Sequence, residues 1–435
     1  MKDVMNFEDN LLEILWNSSV PGSGAPEHLM VGAVQAAGNK GLDVTEAANL
    51  LHEGLEALNQ RKLRELNMLT SLLLEKLDTA KKDPRSIYWN FEQVNSWEQH
   101  HSLIKKWPSF KVDFSSKDFE DRILAAWLGQ ICGGAFGTPI EGFTSDKIFE
   151  TLGSPETYAR TPNTYNDDIT YEIAFLEAYS KKGHGMTSKD IAAEWIGLIP
   201  FGWSAELVAL KNIKLGIFPP ESGSRTNPFS EWIGAQMRGA IVGMVSPGNL
   251  KEAARLAWTD GLVSHTGNGI LGEVFNALMC SLAFVAEDIR EMLISVISLL
   301  PSGTQYYSVV KSSLDLCRES DDWRSAWKIC EEKYKEYNWV HSYPNAAAEI
   351  IGLWYGNGDF DKTMEIIAGC GLDVDCNAAQ AGAILGIFGG VDIIPSKWID
   401  PIGDVLETYL RGMERLSIKK LSEKTVLLVR THNIQ

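Results

Sequence analysis

The feature that most constrains this chain is a helical apolar period that recurs from end to end, with no strand pattern competing against it. In "TEAANLLHEGLEALNQRKLRELNMLTSLLLEKLDTAKKD", Leu51, Leu55 and Leu58, then Leu66, Leu69, Leu73 and Leu77, recur at steps of three and four. That spacing draws an apolar stripe down a long amphipathic helix, which Pro84 ends. Later segments open on recognisable helix starts: "TSKD" before "IAAEWIGLI", then "GNLKEAARLAW", "GNGILGEVFNALMCSLAF", "SDDWRSAWKICEEKY" and "DFDKTMEIIAG". Neither strand-like alternation nor a fixed-period repeat is found, so the predicted class is all-α.

A chain of 435 residues, 45% of them hydrophobic, exceeds the usual single-domain size, and two units are expected. The stretch "KKWPSFKVDFSSKD" has little periodicity and reads as a connector, which places the boundary near residue 115. The tryptophans before it (Trp89, Trp97, Trp107) read as packing of the extra region onto the main one. A formal charge of −17 and a pI near 5.0 argue against a nucleic-acid surface, since phosphate backbones would be repelled. A phosphorylated substrate would need arginine, helix N-termini or metal ions. Six cysteines at no zinc-like or CxxC spacing, and an N-terminus without signal-peptide blocks, predict a soluble cytoplasmic protein. Apolar runs such as "LMCSLAFVAEDIREMLISVISLL" are broken by charges, so no membrane partner is expected.

Three stretches carry candidate chemistry. In "YNDDITYEIAFLEAYS", Asn166, Asp167 and Asp168 stand at a helix start, where Asn and Asp are also ordinary caps. In "GLDVDCNAAQAGAILGIFGG", Asp373 and Asp375 again stand at a helix mouth, before a run of small residues (Ala378, Ala379, Ala381, Gly382, Ala383, Gly386) that would let neighbours pack close. Two acidic pairs far apart in sequence suit hard divalent cations, which take oxygen ligands delivered from different elements. In "GGAFGTPIEGF", Gly133, Gly134, Gly137 and Gly142 give backbone latitude and Glu141 sits in the expected loop. His341 in "WVHSYPNA" reads as a structural histidine or pocket lining.

Taken in order, "RILAAWLGQICGGAFGTPIEG", "NDDITYEIAFLEA", "LVSHTGNGILGEVFNAL" and "CGLDVDCNAAQAGAILG" resemble the ADP-ribosylglycohydrolase family. The chain looks most like a branch of longer bacterial members sharing "NPFSEWIGAQMR", "WVHSYPNAAAE" and "DCN". The resemblance implies a compact multi-helix orthogonal bundle at 116–435 acting as the catalytic domain, with 1–115 as an additional N-terminal helical region. It implies two Mg2+ (or Mn2+) ions, with Asn166, Asp167, Asp168, Asp373, Asp375 and Cys376 at the ligand positions. Glu141, Asp167 and Asp375 would be catalytic. Gly137, His265, Asn268, Gly269, Gly234 and Arg238 would contact substrate, the last two in a stretch that would receive its phosphates.

Three positions depart from the family pattern. Asn166 replaces a threonine and keeps an oxygen donor. Cys376 replaces a Thr or Ser, and a soft thiol is a poor ligand for a hard cation. Gly134 stands where many members carry an aspartate. The implied activity is Mg2+-dependent hydrolysis of the N-glycosidic (ribosyl) bond of an ADP-ribosylated protein or an ADP-ribose-like conjugate. The alternatives are an N-glycosidase or transferase of a smaller riboside, and a non-cleaving ADP-ribose-binding module.

Overall fold

Apolar periodicity becomes helix almost throughout the computed structural model, which describes residues 2–433. These residues form 22 α-helices, and the strands among them are three antiparallel pairs of two residues each. The all-α expectation therefore holds.

The N-terminal helices Lys2–Trp16, Leu29–Asn39, Thr45–Asn59 and Leu63–Asp78 gather around Trp16. Its indole N–H donates to Thr70 Oγ1 at 2.8 Å, and Gly54 lies so near the ring that a Cβ there would sit 2.0 Å from it. The long helix expected across 45–83 is two helices. Arg61, at φ 52°, turns the chain back, so both leucine stripes face one core instead of running out into solvent. That core takes in Ala205, Phe229 and Trp232 from the main body. The segment after Pro84 is stitched to the same body: Trp258 Nε1 donates to His100 Nδ1 at 2.8 Å, and His100 Nε2 donates to the Leu299 carbonyl at 2.9 Å.

At the centre, the helices Lys117–Gly137 and Val374–Gly389 cross with backbones nearly touching. A Cβ on Gly129 would lie 2.2 Å from the Gly382 carbonyl, and one on Gly382 would lie 2.2 Å from the Gly129 carbonyl. Gly133 meets Ala378, and Gly386 meets Ala125, equally closely. Small residues four apart on both helices form one smooth ridge each, so the ridges interlock without side chains between them. Gly133, Gly134 and Gly137 thus belong to a helix and not to the expected loop, whose turn is confined to Gly142 at φ 78°. The stretch Lys117–Ile140 also departs from the sequence expectation, being long and apolar enough by composition to span a bilayer. Its most apolar window is 83% buried inside the protein, which accounts for that composition.

Candidate active site

The crossing of those two helices sets the site. The helix Val374–Gly389 opens with Asp373 and Asp375, while Glu141 follows the end of Lys117–Gly137 after the short turn Thr138–Ile140. A two-residue ladder pins the two segments together: Phe143 pairs with Leu372 and Thr144 with Gly371, and the Gly142 N–H donates to the Leu372 carbonyl at 2.8 Å. The third contributor is the start of the helix Asp167–Lys182, with Asn166 in the N-cap position.

None of these residues is used up in capping. Neither Asn166 nor Asp373 makes a side-chain cap bond, although each occupies its helix's cap position. They reach across to one another instead. Asn166 Nδ2 donates to Asp375 Oδ2 at 3.4 Å, and the Cys376 thiol donates to Asp168 Oδ1 at 3.3 Å. Candidate ligand atoms of Asp373, Asp375 and Cys376 all lie within 4.8 Å of one another. A Cβ on Gly134 would meet Asn166 Nδ2 at 3.0 Å, so the amide of Asn166 leans over Gly134. Two of the three positions expected to depart from the family pattern, Gly134 and Asn166, are therefore spatial neighbours.

Four buried oxygens are left without a hydrogen-bond partner: Asn166 Oδ1, Asp168 Oδ2, Asp373 Oδ1 and Asp375 Oδ1. Orphaned buried acceptors are costly, and their convergence at helix mouths fits a hard divalent cation. Burial also raises the carboxyl pKa values. Glu141, Asp168 and Asp375 are held well above the carboxylate range, by burial first and then by neighbouring acids. Burial brings Asp373 to about 6 and also raises Asp167. The Cys376 thiol is pushed well up by burial, so it stays protonated and serves as a hydrogen-bond donor.

Two cavities adjoin the cluster. The larger, about 440 Å³, is bordered by Glu141, Asn166, Asp167 and Asp375, with Tyr165, Phe201, Trp203 and Tyr409 giving it aromatic faces. The smaller, about 50 Å³, touches Glu141, Asp167, Asp373, Cys376, Glu206 and Gly234. Arg160 is the single Lys or Arg, among the described residues, on the larger wall. Sequence reading did not single out Arg160, Tyr165, Phe201, Trp203, Glu206 or Glu27. Nearness to Asn166 in the sequence was the available signal for Tyr165 and Arg160; the rest come from distant segments.

Of the expected substrate contacts, Gly234 lines the smaller cavity and the others do not line either one. Gly137 packs on the Asp375 backbone, where a Cβ would lie 2.2 Å from its nitrogen. Arg238 is enclosed by acids and backbone. It bonds Asp260, Glu206 Oε1 at 2.9 Å and the Gly234 carbonyl at 2.7 Å, and lies over Trp195 with its carbon 5.0 Å from the ring centre. His265 is fully buried, its Nδ1 paired with Ser264 Oγ at 2.7 Å. Asn268 donates to Glu231 at 3.1 Å, and Gly269 abuts the Ser230 carbonyl. Arg238 and Asn268 thus tie neighbouring segments together behind the site.

An all-α body whose helix starts converge on an acidic, cation-compatible pocket defines a class of hydrolase-like sites. Within it the family is specific. The sequence model described as ADP-ribosylglycohydrolase matches residues 115–431, and the chain belongs to that family. An uncharacterized protein of Archaeoglobus fulgidus is 23% identical over 304 residues, covering 66% of this chain and 92% of the relative. A solved structure described as an "ADP-ribosylglycohydrolase-related protein complex" superposes with a TM-score of 0.52 at 19% identity, covering 73% of this chain and 100% of that one. At that identity the superposition shows a shared fold. Family membership carries ADP-ribosylglycohydrolase-like glycosyl hydrolase chemistry on ADP-ribosylated substrates in general.

Proposed function

We propose that this protein hydrolyses the N-glycosidic bond of an ADP-ribosyl conjugate in a reaction that needs two Mg2+ or Mn2+ ions. The observation that carries the reading is the set of four partnerless buried oxygens at converging helix starts, beside a cavity of small-ligand size. Asn166, Asp167, Asp168, Asp373 and Asp375 would hold the ions, with the protonated Cys376 supporting Asp168. When bound, such ions fix ribose hydroxyls and lower the pKa of a bound water.

The chain's own groups supply the proton traffic. Asp167 is half-buried and borders both cavities, which suits it to accept a proton from the attacking water, with Asp375 as the second candidate. Glu141 borders both as well and is held protonated by burial and by the acids around it, so it can give its proton to the leaving nitrogen. Nearby carboxylates favour the oxocarbenium-like sugar of such cleavages. Arg160 is available to a diphosphate, and the aromatic faces suit a flat base.

We assign this activity to residues 116–435, with 1–115 as an added helical region, and place the protein in a reducing cytoplasm, in keeping with six buried free thiols. The test is incubation with magnesium and ADP-ribosyl-arginine, ADP-ribosyl-serine or plain nucleosides, followed by mass spectrometry. Release of ADP-ribose from the arginine conjugate is expected; release from the serine conjugate alone would move the assignment to an O-glycosidic bond. Cleavage of nucleosides alone would move the assignment to a smaller riboside, and ligand binding without any cleavage would make the protein a binding module.

A further inference from the structure

The N-terminal hairpin Ser18–Glu27 lies outside the region that matches the family, yet it borders both cavities. Val20 and Pro21 line the two of them, Gly22 lines the larger, and Glu27 joins Glu141, Asp167 and Asp373 around the smaller. Its strands pair Ser18 with Glu27 and Ser19 with Pro26, and the Val20 N–H donates to the Ala25 carbonyl at 2.9 Å. Both ends are anchored, since Trp16 precedes it in the N-terminal core and the helix Leu29–Asn39 follows it.

Three separate points fasten its tip to the catalytic rim. Gly22, at φ 112°, rests against Thr138 so closely that a Cβ would lie 2.5 Å from the threonine methyl. Arg160 Nη2 donates to the Gly22 carbonyl at 2.9 Å. Ala25 lies against Gly142, where a Cβ would come within 2.9 Å of the alanine methyl. Ser18 Oγ donates to Glu27 Oε2 at 3.4 Å, which fixes the carboxylate at the cavity edge. A segment tied at both ends and at three points of the rim is part of the rim.

We propose that this hairpin is a resident wall of the cleft, which presents Glu27 to the acid cluster and restricts the substrate to small ribosyl conjugates. The inference rests on the ribosyl-hydrolase reading above. A bond joined to a folded protein can reach the acids only if the rim is open on the acceptor side, and the hairpin occupies rim beside Glu141. The cavity, about 440 Å³, is of the size class that takes small ligands, and a small conjugate needs no such opening. Glu27 adds an acceptor for ligand hydroxyls from a region the family's catalytic body does not supply.

The experiment compares kcat/KM, with magnesium, for free ADP-ribosyl-arginine and for the same group on a folded carrier protein. Replacing Val20–Ala25 by Asn-Gly reconnects Ser19 to Pro26 through two turn-forming residues and removes the wall. The full-length parent is expected to favour the free conjugate by about a hundredfold or more, and the shortened chain to lose at least about tenfold of that preference. Gly22→Val, which pushes the tip off Thr138 without deleting it, should shift the ratio the same way, so misfolding of the shortened chain does not leave the idea untested. Glu27→Gln should weaken binding of ADP-ribose several-fold by calorimetry without lowering Tm. Equal ratios in parent and Gly22→Val, or a parent that cuts the carrier-linked group as fast as the free one, would overturn the wall while leaving the hydrolase standing. No turnover by any form on either substrate would overturn the hydrolase reading itself.

Discussion

Asp373 occupies the cap position of its helix and caps nothing, with Asp375 two residues inside the same helix, and that idleness separates ligands from ornaments at this scale. Asp375 is not the cap of its helix, so Asp375→Asn removes no cap and keeps the side chain's shape, and its stability cost is expected to stay within about 1 kcal/mol. It removes a charged oxygen ligand, so titration calorimetry should show magnesium affinity largely lost; binding equal to the parent's would return both aspartates to structural roles. Glu141 makes a separate case. Burial first, and then Asp375, Asp373 and Asp167, raises its pKa, which suits the proposed role of proton donor. Glu141→Gln keeps its shape without the acidic proton, and turnover should fall on the order of a hundredfold while ADP-ribose affinity and Tm hold. Undiminished turnover would make it a loop residue.

At the scale of elements, what was legible in the sequence follows from how local each signal is. Helical period is local, so the all-α class was readable from leucines three and four apart. The acidic pairs were readable because aspartates at two helix mouths are visible without knowing that Asn166 reaches Asp375. The glycines of "GGAFG" misled, because Gly every four residues resembles a turn until the matching ridge of Ala378, Gly382 and Gly386 is placed against it. Arg238 misled for a similar reason. Its acids come from three other helices, Glu206 on Ser204–Lys214, Asp260 on Leu250–Gly261 and Glu273 on Gly267–Ala283, and sequence distance hid them. Arg238→Met should therefore leave buried carboxylates unpaired and cost about 3–5 kcal/mol in denaturant unfolding. A raised KM with unchanged stability would restore it to the substrate.

For the molecule as a whole, the number of buried acids whose loss of solvent outweighs any cation beside them makes stability depend on pH in a direction opposite to that of most salt-bridged proteins. Burial raises Asp373 to about 6, Glu27 to about 7, Glu206 to about 7, and Glu172 and Glu349 to about 8. A carboxyl whose folded pKa exceeds its unfolded value binds more protons in the folded state. Its stabilising contribution is complete below the unfolded value and is lost as pH rises through the folded one. Metal-free protein should thus show Tm falling between about pH 5 and about pH 8. Magnesium, if the proposed site holds it, would reverse part of that fall, because a cation bound only by the folded state stabilises it and binds best when the carboxyls are ionised. Glu172 and Glu349 keep the remainder, since they are held by Gln380 at 3.4 Å and Asn276 at 3.2 Å and line neither cavity. Scanning calorimetry at the two pH values, with magnesium and with a chelator, should therefore show a metal-induced rise in Tm that is larger at the higher pH. A Tm indifferent to metal at both values would remove the cation from the site, and with it the reason for four buried oxygens to converge without partners.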